Sequence, residues 1–199
     1  MAQPKPIPTP AVRPVPLGRA PTYADVEALP SHLRAEIVGG ELYVLPRPRP
    51  RHALAATRLG SWLDRWFSDD DGVPGGWWIL GEPELHLEAG GRPIDPDLGG
   101  WRRLRMREVP ETAAITLAPD WVCEVLSPST EAYDRGPKMD TYGRARVLHA
   151  WLVDPDAHAL EAFQNDAGLW RPLGRWQGAA RVRVAPFEAV ELPLSRLWG

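Results

Sequence analysis

The chain has 199 residues and a formal net charge of −3, with 44% hydrophobic and 25% charged residues, which suits a globular domain with a real core and excludes a disordered polymer or a surface coated in basic charge. Its one cysteine, Cys123, has no internal disulfide partner, and the opening Met-Ala-Gln-Pro-Lys-Pro lacks the apolar stretch of a secretion signal, so a reducing cytoplasm is expected. No apolar run approaches the roughly 20 residues of a membrane-spanning helix, and a membrane is not expected as a partner.

Residues 1–21 hold seven prolines and little to bury, and read as an extended, mobile arm outside a single domain of residues 22–199. Thr22, with Asp25 three residues on, suits the start of a short helix closed by Pro30. Residues 35–38 and 41–45 flank Gly39-Gly40, a hairpin pattern, because paired glycines supply positive φ. After Pro46-Arg47-Pro48-Arg49-Pro50, the spacing of Leu54, Leu59, Trp62, Leu63 and Trp66 predicts an amphipathic helix from about His52 to Ser68. Strands are expected over 77–80, 84–88 and 92–98, the last two joined by a turn at Ala89-Gly90-Gly91. Residues 121–126 read as a central strand. Ser127-Pro128-Ser129-Thr130 then caps a helix from about Glu131 or Tyr133 to Arg144, with Gly136-Pro137 disturbing its first turn. Residues 149–153 form another strand, and Asn165-Asp166-Ala167-Gly168 the turn of a further hairpin.

Glu124 is the chemical anomaly. It interrupts Trp-Val-Cys-Glu-Val-Leu, and on an alternating strand it shares an apolar face with Val122 and Leu126. A carboxylate there must be protonated, paired with a cation or bound to metal. A buried pair with an arginine explains it as readily as a metal does. Asp97, in Ile94-Asp95-Pro96-Asp97-Leu98, is a second acid in a strand-like stretch. If its strand neighbours that of Glu124, two hard oxygen ligands can converge on one magnesium ion. Asp95, beside a proline, reads better as a turn residue.

Asp134, Lys138 and Tyr142 stand four apart and share a helix face. Such spacing is commonly a solvated surface stripe. Yet of 23 cationic residues only Lys5 and Lys138 are lysine, and a compact ammonium suits a phosphate oxygen or a water. Glu36 in the first hairpin is a candidate third acid, or a solvent-facing charge. His52 at a helix start could donate to a phosphate, or serve as a cap. Arg102, Arg103, Arg105 and Arg107 with Trp101, and Arg171, Arg175, Arg181 and Arg183 with Trp170 and Trp176, form local basic and aromatic patches. Zinc spacing, a phosphate-binding glycine loop and a nucleophile elbow are all missing from the sequence.

Pro96-Asp97, the run from Trp121 to Thr130, Asp134, Lys138, Tyr142 and Trp151-Leu152-Val153-Asp154-Pro155 together resemble the Uma-two family of predicted bacterial restriction-endonuclease-like proteins, within the PD-(D/E)XK nuclease superfamily. The resemblance runs from about Thr22 to the C-terminus, with Ala35 to Glu41 similar to the family's opening hairpin. In the superfamily a lysine normally stands two residues after the glutamate, where this chain has Leu126. The family instead supplies it from the following helix, at the place of Lys138. Leu148-His149-Ala150 departs from the acid and aromatic usual there.

The resemblance implies an α/β fold, a mixed four-stranded sheet flanked by helices with an N-terminal β-hairpin extension. It further implies Mg²⁺ or Mn²⁺ on Asp97 and Glu124, with Glu36 as an extra ligand, Lys138 orienting water or balancing charge, and Asp134, Tyr142 and His52 in support. The implied activity is metal-dependent hydrolysis of nucleic acid, DNA foremost, with a homodimer left open. Two other readings are a nucleic-acid-binding module of this fold without turnover, and an interaction module using the proline-rich arm.

Overall fold

The first hairpin follows from its two glycines. Gly39 and Gly40 take φ of 59° and 84°, turning β2 (Arg34–Val38) back onto β3 (Glu41–Leu45). The computed structural model describes residues 11–68, 75–88 and 92–199. The turn expected at 89–91 lies outside the described residues. So does the first half of the arm expected over residues 1–21. Its second half is docked: Pro14–Val15 forms β1, antiparallel to β3, and the Val12 N–H donates to the Ser129 carbonyl at 2.8 Å. Valines and an unpaired edge of β3 supply what a bare proline arm lacks. Between them, α1 (Tyr23–Glu27) starts as expected, the Asp25 carboxylate accepting from the Thr22 N–H and hydroxyl.

Helix α2 (Pro50–Phe67) begins at a proline, which a first turn accepts because its N–H has no partner there. It lays Ala55, Leu59, Trp62, Leu63 and Phe67 on a six-stranded sheet of order β11-β10-β9-β8-β7-β4. The sheet comprises β4 (Trp77–Gly81), β7 (Leu98–Arg102), β8 (Trp121–Val125), β9 (His149–Asp154), β10 (Ala159–Asp166) and β11 (Leu169–Gln177). It is mixed: β8 and β9 run parallel, the other neighbours antiparallel. The four strands implied by the family resemblance are thus extended by the hairpin β10–β11.

The stretch 92–98 is not one strand. It divides into β6 (Arg92–Ile94), paired with β5 (Leu85–Glu88), and the start of β7, because Pro96 cannot donate to a ladder. Strand β7 continues through Gly99-Gly100, where a side chain would collide with the rings of Trp101 and Trp121. Trp101 is accordingly buried at 0% exposure rather than part of a basic surface patch.

Strand β8 separates two apolar layers. Trp121, Cys123 and Val125 meet α2, while Val122 and Leu126 meet the opposite layer with Tyr133, Met139 and Tyr142. That second layer is capped by α3 (Glu131–Tyr133), a wide π turn (Asp134–Lys138) and α4 (Met139–Arg144). Pro137 lies inside the π turn and lacks the N–H that a tighter helix would use, so the wider turn absorbs it. The C-terminal segment packs β12 (Arg181–Val182) against β13 (Leu192–Pro193) and closes with α5 (Ser195–Trp198) against α2. No described helix is long and apolar enough to cross a membrane.

Candidate acid-lysine site

Strand register brings the two isolated acids together. Leu98 pairs with Cys123 across β7 and β8, and one step further along the antiparallel ladder Asp97 faces the position of Glu124, where opposed residues share a sheet face. Asp97 is not itself in the ladder. Its Oδ2 accepts instead from the Val125 N–H at 2.7 Å, which ties the carboxylate to the end of β8. His52, from the first turn of α2, places Nε2 3.2 Å from the same oxygen.

Lys138 comes from the opposite layer. The π turn keeps Asp134 and Lys138 pointing inward, and both are buried rather than part of a surface stripe. Lys138 Nζ lies 2.9 Å from Glu124 Oε1 and 3.6 Å from Glu36 Oε1, and donates to the Asp95 carbonyl at 2.8 Å. The Tyr142 hydroxyl, one turn on, donates to Glu124 Oε1 at 2.6 Å. On β2, Glu36 is 1% exposed, not solvent-facing, and its Oε2 accepts from the Tyr133 hydroxyl at 2.7 Å.

These groups line one small cleft of about 50 Å³ with Arg34, His52, Asp95, Asp97 and Asp134. All but Tyr142 of the candidate residues meet there, and Tyr142 stands behind Glu124. Asp95, which the sequence marks as a turn residue, and Tyr133, to which the sequence assigns no role, both line the cleft. Asp95 Oδ1 is buried without a hydrogen-bond partner among the described residues, and its Oδ2 stands 3.6 Å from Arg34.

Acid exceeds base in the cleft, and the titration behaviour follows. Burial, with the Glu36 charge adding, pushes Asp95 up to about 7. Burial likewise pushes Asp134 up to about 7 against the pull of Lys138. Glu124 is raised by burial, opposed by Lys138 and reinforced by Asp134, Asp97 and Glu36. For Lys138 burial works against the ammonium, but the surrounding carboxylates, Glu124 first, outweigh it and raise its pKa. At His52 burial also opposes the charge, and the Asp97 carboxylate overcomes it.

Among the described residues no three His, Cys, Asp or Glu side chains gather as a ready-made metal cage. A magnesium ion does not need one: it keeps several waters and takes one or two carboxylates plus substrate phosphate. The donor set fits that mode. Hydrogen bonds from described residues fall on Asp97 Oδ2 and Glu124 Oε1 and leave the second oxygen of each carboxylate to other partners.

The Uma2 family model, described as "Putative restriction endonuclease", matches residues 20–195, and the chain belongs to that family, the Uma-two family of the sequence motifs. It is 29% identical over 153 residues to the uncharacterised protein slr1290 of Synechocystis, covering 75% of each chain. In fold it is similar to the crystal structure of "a putative nuclease belonging to DUF820" from Anabaena variabilis, with a TM-score of 0.71 at 18% identity, over 89% of this chain and 97% of that one. Family and fold make this a nuclease-like module of the PD-(D/E)XK type.

Proposed function

We propose that the chain hydrolyses phosphodiester bonds in nucleic acid, DNA foremost, with Mg²⁺ or Mn²⁺ held by Asp97 and Glu124 and with Lys138 serving the reacting phosphate. The observation that carries this reading is the charge imbalance of the cleft: Glu36, Asp95, Asp97, Glu124 and Asp134 stand against Lys138, with Arg34, Arg47 and His52 at the edge. Membership of a family described as a restriction endonuclease supports the substrate class. A bound divalent ion would balance the acids, lower the pKa of a water and polarise the scissile phosphate.

The protein groups divide the remaining work. The Val125 N–H and His52 fix one oxygen of Asp97, and the Tyr142 hydroxyl fixes one oxygen of Glu124, so both carboxylates are oriented before substrate arrives. Lys138, its pKa raised by its carboxylate neighbours, remains an ammonium at neutral pH. It therefore acts as a charge and a donor, orienting the attacking water or balancing the developing phosphorane charge, and not as a base. Glu36, held by Tyr133 and 3.6 Å from Lys138, would restrain the ammonium and serve as a further ligand.

The test is single-turnover cleavage of duplex and single-stranded DNA with Mg²⁺ or Mn²⁺. Wild type is expected to cut, and Asp97→Ala and Glu124→Gln to lose roughly a hundredfold or more of the rate. DNA binding with no cleavage in either metal would replace this reading with a binding module. Capture of a protein partner by residues 1–21 alone would favour the interaction reading.

A further inference from the structure

The segment between β3 and α2 carries arginine at every second position: Arg47, Arg49 and Arg51, alternating with Pro46, Pro48 and Pro50. Each proline fixes its own φ and drives the preceding residue to extended backbone, so Pro46 to Arg49 is held extended, and Arg51 follows Pro50 in the first turn of α2. Arg49, with φ −72° and ψ 154°, has that conformation. At about 3.1 Å per residue of extended chain, Arg47 and Arg49 leave the backbone roughly 6 Å apart, a step similar to that between successive phosphates on one nucleic-acid strand.

The arginines flank the acid cleft. Arg47 lines the cleft itself, while Arg49 and Arg51 line a neighbouring hollow of about 200 Å³ that shares His52 and Ser127 with it. Their charge is poorly answered within the protein. Asp156 lies 3.3 Å from Arg49 and 3.9 Å from Arg51, with side chains of all three about half exposed or more, and such pairs contribute little. Arg47 makes no ion pair with any described carboxylate. A fold that needed these cations for stability would pair or bury them. Here they are exposed, Arg47 and Arg49 on proline-stiffened extended chain and Arg51 on the first turn of α2, backbone that loses little entropy when a ligand fixes it.

We infer that Arg47, Arg49 and Arg51 form a phosphate rail that binds the backbone of the strand entering the acid cleft. The inference rests on the nuclease reading above and gives that site its substrate-binding surface. Bidentate guanidinium–phosphate contacts suit arginine here, and the contacts carry no sequence information. The rail therefore positions the strand and leaves base preference to other groups.

The experiment is fluorescence anisotropy of labelled single-stranded and duplex DNA over a range of salt, in the Asp97→Ala background, paired with cleavage by the otherwise wild-type enzyme. Three variants are compared: Arg47, Arg49 and Arg51 all to Ala; the same three to Lys; and Arg171, Arg181 and Arg183 all to Ala as an equal-charge comparison on the other basic patch. Removing the rail is expected to weaken binding more than tenfold and to flatten the dependence of log K on log salt by about 2 to 3, as the loss of that many phosphate contacts requires. The lysine variant should keep most of the salt slope, and the comparison variant should leave affinity and slope unchanged. Unchanged melting temperatures of all three show that folding is not the cause. If the alanine rail variant keeps the wild-type slope, or the comparison variant flattens it equally, the rail is overturned while cleavage by wild type leaves the nuclease reading standing. If wild type neither binds nor cuts DNA, both fall.

Discussion

The ammonium of Lys138 lies 2.9 Å from Glu124 Oε1, and both side chains are buried. Removing one charge from such a pair strands the other in a poorly solvated place, at a cost of about 3–5 kcal/mol. Lys138→Ala is therefore expected to lower the melting temperature in EDTA by on the order of 10 °C. Adding Glu124→Gln should return part of the loss. Lys138→Arg keeps the charge but not the compact shape, so it should lose turnover by more than it loses stability. A Lys138→Ala melt indistinguishable from wild type would show that the pair contributes nothing to the fold.

Metal should be visible without catalysis. An ion that binds only the folded chain stabilises it by about 2.7 kcal/mol at a hundred times its Kd, several degrees for a chain of this size. Mn²⁺ is expected to raise the wild-type melting temperature and to leave Asp97→Ala where it was. An equal rise in both proteins would move the ion to another site.

Asp134 gives a pH signature. Its folded pKa of about 7 stands above the ordinary 3.8 because of burial, so the folded chain holds a proton that the unfolded chain has released. The resulting stability is full below about pH 4 and lost as the pH rises through about 7. Asp134→Asn, permanently neutral, should match wild type near pH 5 or fall slightly below it, and exceed it near pH 8. Metal-free thermal melts across that range decide the matter. A constant difference between the two proteins would assign Asp134 no titration between those limits.

Glu124 could be found in the sequence because strand alternation is local: a carboxylate between Cys123 and Val125 has an apolar neighbourhood wherever the strand goes. Asp97 required one long-range fact, that β7 lies beside β8, and the apolar character of both stretches hinted at it. Lys138 stood out by rarity alone. Its burial was not legible, because i, i+4 spacing describes a solvated face and a buried one equally well until something packs on it. The roles of Tyr133 and Asp95 are not legible for a related reason. Their partners, Glu36 and Lys138, are 97 and 43 residues away, and no local pattern distinguishes a tyrosine that donates to a buried acid from one that only packs. Strand β7 was misplaced because Gly99-Gly100 has low strand propensity, yet close packing against Trp101 and Trp121 requires glycine there.

The N-terminal segment provides the last prediction, and it reverses what proline content alone suggests. Prolines at 14 and 16 would leave Val15 in a mobile arm, but Pro14 pairs with Tyr43 and Val15 with Leu42 on the free edge of β3. Val15 packs against Ala35, Ile37 and Leu42, and Val12 against the layer containing Tyr43 and Tyr133. The Val12 N–H bond to the Ser129 carbonyl then ties this strand to the loop preceding α3, whose helix carries Tyr133 to Glu36. Partial burial of two valines is worth about 1–3 kcal/mol together, and each recovered backbone hydrogen bond adds about 1 kcal/mol. Deleting residues 2–16 should therefore lower the melting temperature by roughly 4–10 °C. Val15→Asp, which keeps the full chain but puts a charge on the packed face, should reproduce much of that fall. Because the loss removes support from behind Tyr133, the truncated protein should also bind Mn²⁺ more weakly, read as a smaller metal-induced rise in melting temperature. An unchanged melt for both variants would return the segment to the role of a solvated tail.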